Sequence, residues 1–312
     1  MRSRNGTPAE RRSAPIAVGT AHRTLTVVPA PDRSGPPLDR RRYTGVPDLP
    51  TEVSAVTLDL WHTLLFVRPE DEERYMANQV RIAADALARA PPRPGTSSHP
   101  EGELARIFER EYAAAVEAAA EGRTVTPQTQ IEQAAACSGR GPIDLDRYLG
   151  ELRTEVESLR FHRAPGALEV LAGLRDDGYR LAVISNTIGE PGAFLRPVLS
   201  SMGFDPYIES YVFSDEHPWT KPDPRIFREA LSSIGSEANS SVHVGDGWSD
   251  IEGARRSGYR AGILFTGLQE YGERYRELFA STAREMPAVP HRVARLEEIG
   301  PMVRELLPPG PG

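Results

Sequence analysis

A chain of 312 residues, 39% of them hydrophobic, has room for one large domain or two smaller ones and can bury a sizeable core. Its net charge of −7 and pI near 5.6 exclude a general nucleic-acid binder, and without a long apolar run it cannot span a membrane. One cysteine, Cys137, leaves no internal disulfide to form, and with no secretory signal in the sequence a cytoplasmic setting is expected.

Residues 1–50 are rich in Arg, Pro, Ser and Gly and carry few periodic apolar positions. They are expected to form a disordered leader. A first strand is predicted over Val53–Leu58. Four helices follow between about 70 and 160. Met76, Val80, Ala83 and Leu87 recur at helical spacing, as do Leu104, Phe108, Tyr112 and Ala115. A third helix is predicted near 127–137, and a fourth carries Leu145, Leu149, Leu152, Val156 and Leu159. With no strand among them, they read as a helical module over 67–164, inserted after the first strand.

From Pro165 onward helix and strand alternate, through "YRLAVISN", "ESYVFSD", "SVHVGD", "RAGILFT" and "HRVARL". Such alternation implies an α/β fold, a parallel sheet with helices on both faces. The catalytic core is therefore expected over 51–66 and 165–312.

Ligands in such sheets sit beyond the carboxyl ends of the strands. The residues there are Asp59, then Ser185 and Asn186, then Gly245 and Asp246, with Asp250 four further on. Lys221 stands in the loop "HPWTKPDPRIF", and of the 37 Lys and Arg residues it is the one lysine. Carboxylates, a hydroxyl and one ammonium suit Mg²⁺ and a phosphoryl group, with Asp59 as a covalent nucleophile. Each residue taken singly reads equally well as a turn or helix cap. It is the ordered set that points to chemistry.

The stretches "LDLWHTL", "VISNT", "TKPDPRIF" and "VGDGWSDIEGARRSG" stand in this order, and with them the sequence resembles the haloacid dehalogenase-like hydrolase superfamily. The resemblance implies a Rossmann-like core with a helical cap. It implies Asp59 as nucleophile, Thr63 and Ser185 as phosphate-contacting hydroxyls with Asn186 beside them, and Lys221 as the charge-balancing lysine. Asp246 would bind Mg²⁺ together with Asp59 and the backbone carbonyl of Trp61, and Asp250 would be a ligand or its water-mediated support. The substrate would be a small phosphorylated molecule.

Trp61 departs from the pattern. Phosphatases of the superfamily place a second aspartate there, which protonates the leaving group and activates water. Such help is worth about 10²–10⁴-fold in rate. Three readings follow. The chain is a phosphatase with altered proton handling, in which His62 stands in for the acid or the leaving group needs none. Or it cleaves carbon–halogen bonds, against which the retained Asp246 and Asp250 argue. Or it is a non-catalytic scaffold that keeps the fold. Trp61 would line the substrate pocket, and Arg74, His162 and Arg163 are candidate anion contacts.

Overall fold

Strands covered on both faces read as continuous apolar runs, and those of this chain do. A computed structural model describes residues 54–97, 99–271 and 284–308; the leader expected at 1–50 and the start of the first strand at Val53 lie outside the described residues. In chain order the elements are β1 (Ala55–Leu58), β2 (Leu65–Phe66), α1 (Pro69–Arg89), α2 (Glu101–Ala120), α3 (Pro127–Cys137) and α4 (Leu145–Ser158). Then come β3 (His162–Arg163), α5 (Ala167–Asp176), β4 (Arg180–Ser185), α6 (Gly192–Ser201), β5 (Ser210–Phe213) and α7 (Pro224–Ser233). The last are β6 (Ser241–Gly245), α8 (Trp248–Ser257), β7 (Ala261–Phe265), β8 (Arg292–Val293) and α9 (Ile299–Leu306).

Six strands form one sheet in the order β5-β4-β1-β6-β7-β8, parallel throughout. The strand order reverses around β1, whose neighbours are β4 and β6. This is the topological switch point at which such folds bind ligands. Alternate side chains feed opposite faces. Val56 and Leu58, with Leu181, Val183, Val242 and Val244, join the core that runs on into Leu171 of α5, Leu195 of α6 and Val303 of α9. Ala55, Ala182, Ile184 and Val212 meet Ile226, Phe227 and Ala230 of α7 and Ala254 of α8. The α/β class and the helical insertion are as the sequence implies. No helix among the described residues is long and apolar enough to cross a membrane.

Two features differ from the expectations. The ends of the insertion are tied by an unforeseen antiparallel ribbon, in which β2 pairs with β3 through Leu65↔Arg163 and Phe66↔His162. Strands of two residues carry no periodicity to read. The buried face of α1 keeps two of the expected positions, Ala83 and Leu87, and adds Glu72, Tyr75, Gln79, Ile82 and Ala86, while Met76 and Val80 sit half-buried at its edge. Pro69 at the helix start and the acidic Glu70, Asp71 and Glu72 in its first turn suit the exposed amide groups there.

The two faces of α1 can be told apart by truncation. Leu87, fully buried, should cost about 2–5 kcal/mol on change to alanine. Met76→Ala should cost well under half as much by urea denaturation, and equal losses would restore the face read from periodicity.

Candidate active site

The backbone places the first carboxylate before any side chain acts. Asp59 follows β1, and its amide N–H donates to the carbonyl of Val244 in β6 at 2.8 Å. Its side chain is thereby held at the switch point, almost wholly buried. Lys221 comes from the loop between β5 and α7. Its Nζ donates to Asp59 Oδ1 at 2.5 Å and to Asp250 Oδ1 at 2.6 Å. Asn186, just past β4, clamps the lysine's backbone from both sides: Lys221 N–H donates to Asn186 Oδ1 at 2.9 Å, and Asn186 Nδ2 donates to Lys221 O at 3.1 Å. Asn186 is thus a support for Lys221, a more specific position than the sequence indicated.

Asp250 sits in the first turn of α8 and is held on both oxygens. Oδ2 accepts from Gly247 N–H at 3.0 Å, and Oδ1, beside Lys221, meets His243 Nε2 at 3.1 Å. His243 Nδ1 in turn lies 2.8 Å from Thr57 Oγ1, and Thr57 also reaches Tyr259 at 3.3 Å. Thr57 and His243 are register partners on β1 and β6, so the chain Thr57–His243–Asp250–Lys221–Asp59 crosses the middle of the sheet. Gly245 makes the fold-back of Asp250 feasible: a Cβ there would lie 2.3 Å from the carboxyl carbon of Asp250.

Asp59, Asp246 and Asp250 each present an oxygen within 4.8 Å of the others. Burial first, then the carboxylates of Asp59 and Asp250, pushes Asp246 well above the usual carboxylate range. Asp59 is raised to about 6 by burial, with Lys221 opposing and Asp250 adding to the rise. For Asp250 burial also works upward, but the charge of Lys221 and the bond to His243 overcome it and hold the group low. Lys221 is kept protonated: burial disfavours its charge, and Asp250 and Asp59 more than restore it. When ionised, these three acids outnumber the one ammonium that faces them. A hard divalent cation held by a few carboxylates, such as Mg²⁺, fits that donor set.

Thr63 and Ser185 are fully buried, and among the described residues no partner meets either hydroxyl. Donors left this way at a strand's carboxyl end suit an anion. Trp61 and His62 lie in the turn after Asp59, with His62 at φ 56° in the left-handed region and its N–H bonded to Leu65 O. The Trp61 ring packs 5.7 Å from Phe161. The candidate anion contacts are engaged elsewhere. Arg74 pairs with Asp71 on the surface, Arg163 donates to Met202 O, and His162 stacks on Phe66.

Two buried groups escaped the sequence reading, His243 and Glu190. For His243 the signal was available, since a histidine inside a strand covered on both faces must find partners. Glu190 lies in the loop after β4 and accepts from Tyr75 Oη at 3.0 Å. Burial raises it to about 7, opposed by Tyr75, assisted by Asp215 and opposed again by Trp61.

A family model for haloacid dehalogenase-like hydrolases matches residues 77–263. The span takes in Ser185, Lys221, Asp246 and Asp250 and begins after Asp59. The chain is similar to a plasmid-encoded phosphoglycolate phosphatase of Cupriavidus necator, 31% identical over 205 residues, 66% of this chain and 78% of that one. It is similar over shorter stretches to a phosphoglycolate phosphatase of Nitrosococcus oceani (32% over 110 residues, 35% of this chain) and a glyceraldehyde 3-phosphate phosphatase of Pyrococcus abyssi (37% over 97 residues, 31% of this chain). Of these last two it spans 48% and 40%. In fold it resembles the crystal structure of a HAD phosphatase from Thermococcus onnurineus, with a TM-score of 0.50 and 20% identity over 82% of this chain and 98% of that one.

The buried ion pairs make Lys221 a structural residue as well as a chemical one. Lys221→Met leaves Asp59 and Asp250 without their cation and should cost about 3–5 kcal/mol in the presence of a chelator. A loss below about 1 kcal/mol, the range of exposed pairs, would mean that the ammonium is dispensable to the fold.

Proposed function

The chain belongs to the haloacid dehalogenase-like hydrolase family, and on that premise we propose that it is a Mg²⁺-dependent phosphatase acting on a small phosphorylated metabolite through an aspartyl phosphate. The observation that carries this reading is the Lys221 ammonium bonded to both Asp59 and Asp250 at the switch point, with Asp246 alongside. Similarity to phosphatases of phosphoglycolate and glyceraldehyde 3-phosphate supports compact phosphate esters as the substrate class. The helical insertion over 67–164 is read as a cap domain on a core of 51–66 and 165–312. With one cysteine in the chain, we place the reaction in a reducing compartment, the cytoplasm.

In the first step a carboxylate oxygen of Asp59 attacks phosphorus. The bond from phosphorus to the leaving oxygen breaks, and that oxygen departs with the electron pair. In the second step water attacks the phosphorus of the aspartyl phosphate, inorganic phosphate leaves and the carboxylate is restored. Lys221 offsets the charge on Asp59 and on the transferring oxygens. Thr63 and Ser185 donate to the phosphoryl oxygens, and Asn186 keeps Lys221 in place. Asp59, Asp246 and the Trp61 carbonyl would hold Mg²⁺, with Asp250 as support. Bound there, the ion would neutralise phosphate charge and orient the group for in-line attack.

Trp61 offers an indole N–H and cannot shuttle a proton. The first step should therefore depend steeply on leaving-group pKa. A phosphate-release panel with and without Mg²⁺ tests this, with aryl and acyl phosphates turned over much faster than alkyl phosphates. Trp61→Asp should restore alkyl phosphate hydrolysis by part of the ~10²–10⁴-fold that acid/base catalysis supplies. Fast alkyl phosphate hydrolysis that disappears in His62→Ala would move the shuttle to His62. Halide release without phosphate release would replace the phosphatase reading altogether.

The metal assignment has its own test. Asp246→Asn removes one of the charges that draw in the cation, and calorimetry should then find weaker Mg²⁺ binding along with lost activity. Equal affinity in the two proteins would rule Asp246 out as a ligand.

A further inference from the structure

The segment that carries Lys221, residues 214–223 between β5 and α7, is built partly by the cap. Residues 121–126, which join α2 to α3, lie along it, and Arg123 pairs with Trp219 as an antiparallel bridge. Thr220 N–H donates to Gly122 O at 3.1 Å, and Thr124 N–H donates to Pro218 O at 3.4 Å. The Thr124 hydroxyl donates to Ser214 O at 3.0 Å. Gly122 suits this approach. Its φ is 81°, in the left-handed region, and a Cβ on it would lie 3.0 Å from the Cβ of Asp223.

The same cap segment is fastened to the loop after Ser185. Gln130 of α3 is buried, and its Nε2 donates to two carbonyls, Val125 O at 3.0 Å and Ile188 O at 2.7 Å. The first carbonyl belongs to the cap segment and the second to the core, so one amide group rivets the two. The two core loops are also joined to each other. The Asn186–Lys221 clamp does this, and so does Thr187 N–H, which donates to Ser214 Oγ at 2.9 Å. Buried backbone groups need partners, and Thr220 N–H, Ser214 O and Ile188 O find theirs on the cap. None of the residues assigned to Mg²⁺ lies on either core loop.

We propose that Gln130 and Thr124 are positioning residues for the phosphatase reaction. They seat residues 121–126 of the cap across both core loops, and so fix Lys221 and Ser185 where the transferring phosphoryl group is held. The proposal rests on the reading of Lys221 and Ser185 as the groups that meet that phosphoryl. It assigns neither Gln130 nor Thr124 a contact with substrate. The loop of the lysine is then a joint product of core and cap, complete only when the cap segment is docked.

The test uses the full chain and three variants, Gln130→Met, Thr124→Val and Thr124→Ser. Methionine keeps the length of the glutamine side chain without its donors, valine keeps the shape of threonine, and serine keeps the hydroxyl. Gln130→Met should lower kcat/KM on the order of 10²-fold, as expected when reacting groups are misplaced by an ångström or so. Thr124→Val should lower it roughly tenfold, near the upper worth of one hydrogen bond, and Thr124→Ser should stay within about threefold of wild type. The loss should show in kcat, because Lys221 acts on charge that develops during transfer. The Thr220 amide, bonded across the seat, reports on it directly. Its hydrogen exchange should quicken about tenfold or more in Gln130→Met and Thr124→Val, while the Asp59 amide, bonded to β6, keeps its rate. Thr124→Val removes one hydroxyl alone and decides the matter if Gln130→Met does not fold. Lost kcat with wild-type exchange at Thr220 would overturn the proposal, because the side chains would then act on substrate themselves. A rise in KM alone would overturn it for the same reason. So would quickened exchange with wild-type kcat, since the seat would then hold nothing that the reaction uses. If wild type releases no phosphate from any substrate, the functional reading fails and the positioning role falls with it, while Thr220 exchange still decides whether the cap holds the Lys221 loop.

Discussion

A single ammonium, fully enclosed, holds together the parts that this fold brings to the centre of its sheet. Lys221 meets two carboxylates at hydrogen-bond distance, and a third lies close by. Burying a charge is costly unless it is paired, and burying three like charges around one counter-charge is costlier still. Much of the local structure serves this cluster. Asn186 locks the lysine's backbone, Gly245 leaves room for Asp250 to fold back, and Thr57 with His243 anchors Asp250 from the far side. A guanidinium is larger and its planar fork is aimed differently. That is a physical reason for one lysine to stand among so many arginines.

The strand-end residues were legible in the sequence because parallel strands announce themselves as apolar runs and the chemistry follows at their ends. Asp59, Ser185, Asp246 and, four residues on, Asp250 could be named that way, and Lys221 as the one lysine of the chain. What joins them could not. Thr57 and His243 are buried side by side through register, and register is a property of two strands that one strand's pattern does not carry. The polar part of the buried face of α1 was hidden for a related reason. Hydrophobicity alone favours Met76 and Val80, but the inward positions Tyr75 and Gln79 are buried in order to reach Glu190 and Gly189. Polar side chains that dock one element on another look, in sequence, like solvent-facing ones.

Trp61 changes the character of the turn after Asp59. A carboxylate there would accept hydrogen bonds and titrate, whereas the indole only donates and keeps one charge state at every working pH. The turn gains packing, through Phe161. The sequence displayed the substitution plainly, but not the ring it packs against, which stands far along the chain between the last cap helix and β3.

The ribbon of β2 and β3 has a bearing on ancestry as well as shape. Leu65 faces Arg163 across the ribbon, so the chain leaves the core and returns to it at practically one point. To the sheet, everything between Phe66 and His162 amounts to a long hairpin loop, and the entropy of closing such a loop grows only with the logarithm of its length. A gene could lengthen, shorten or exchange the helices on that stalk while the strands beneath kept their register. The helical insertion and the sheet are thereby free to diversify at separate rates, one as a graft and the other as rootstock.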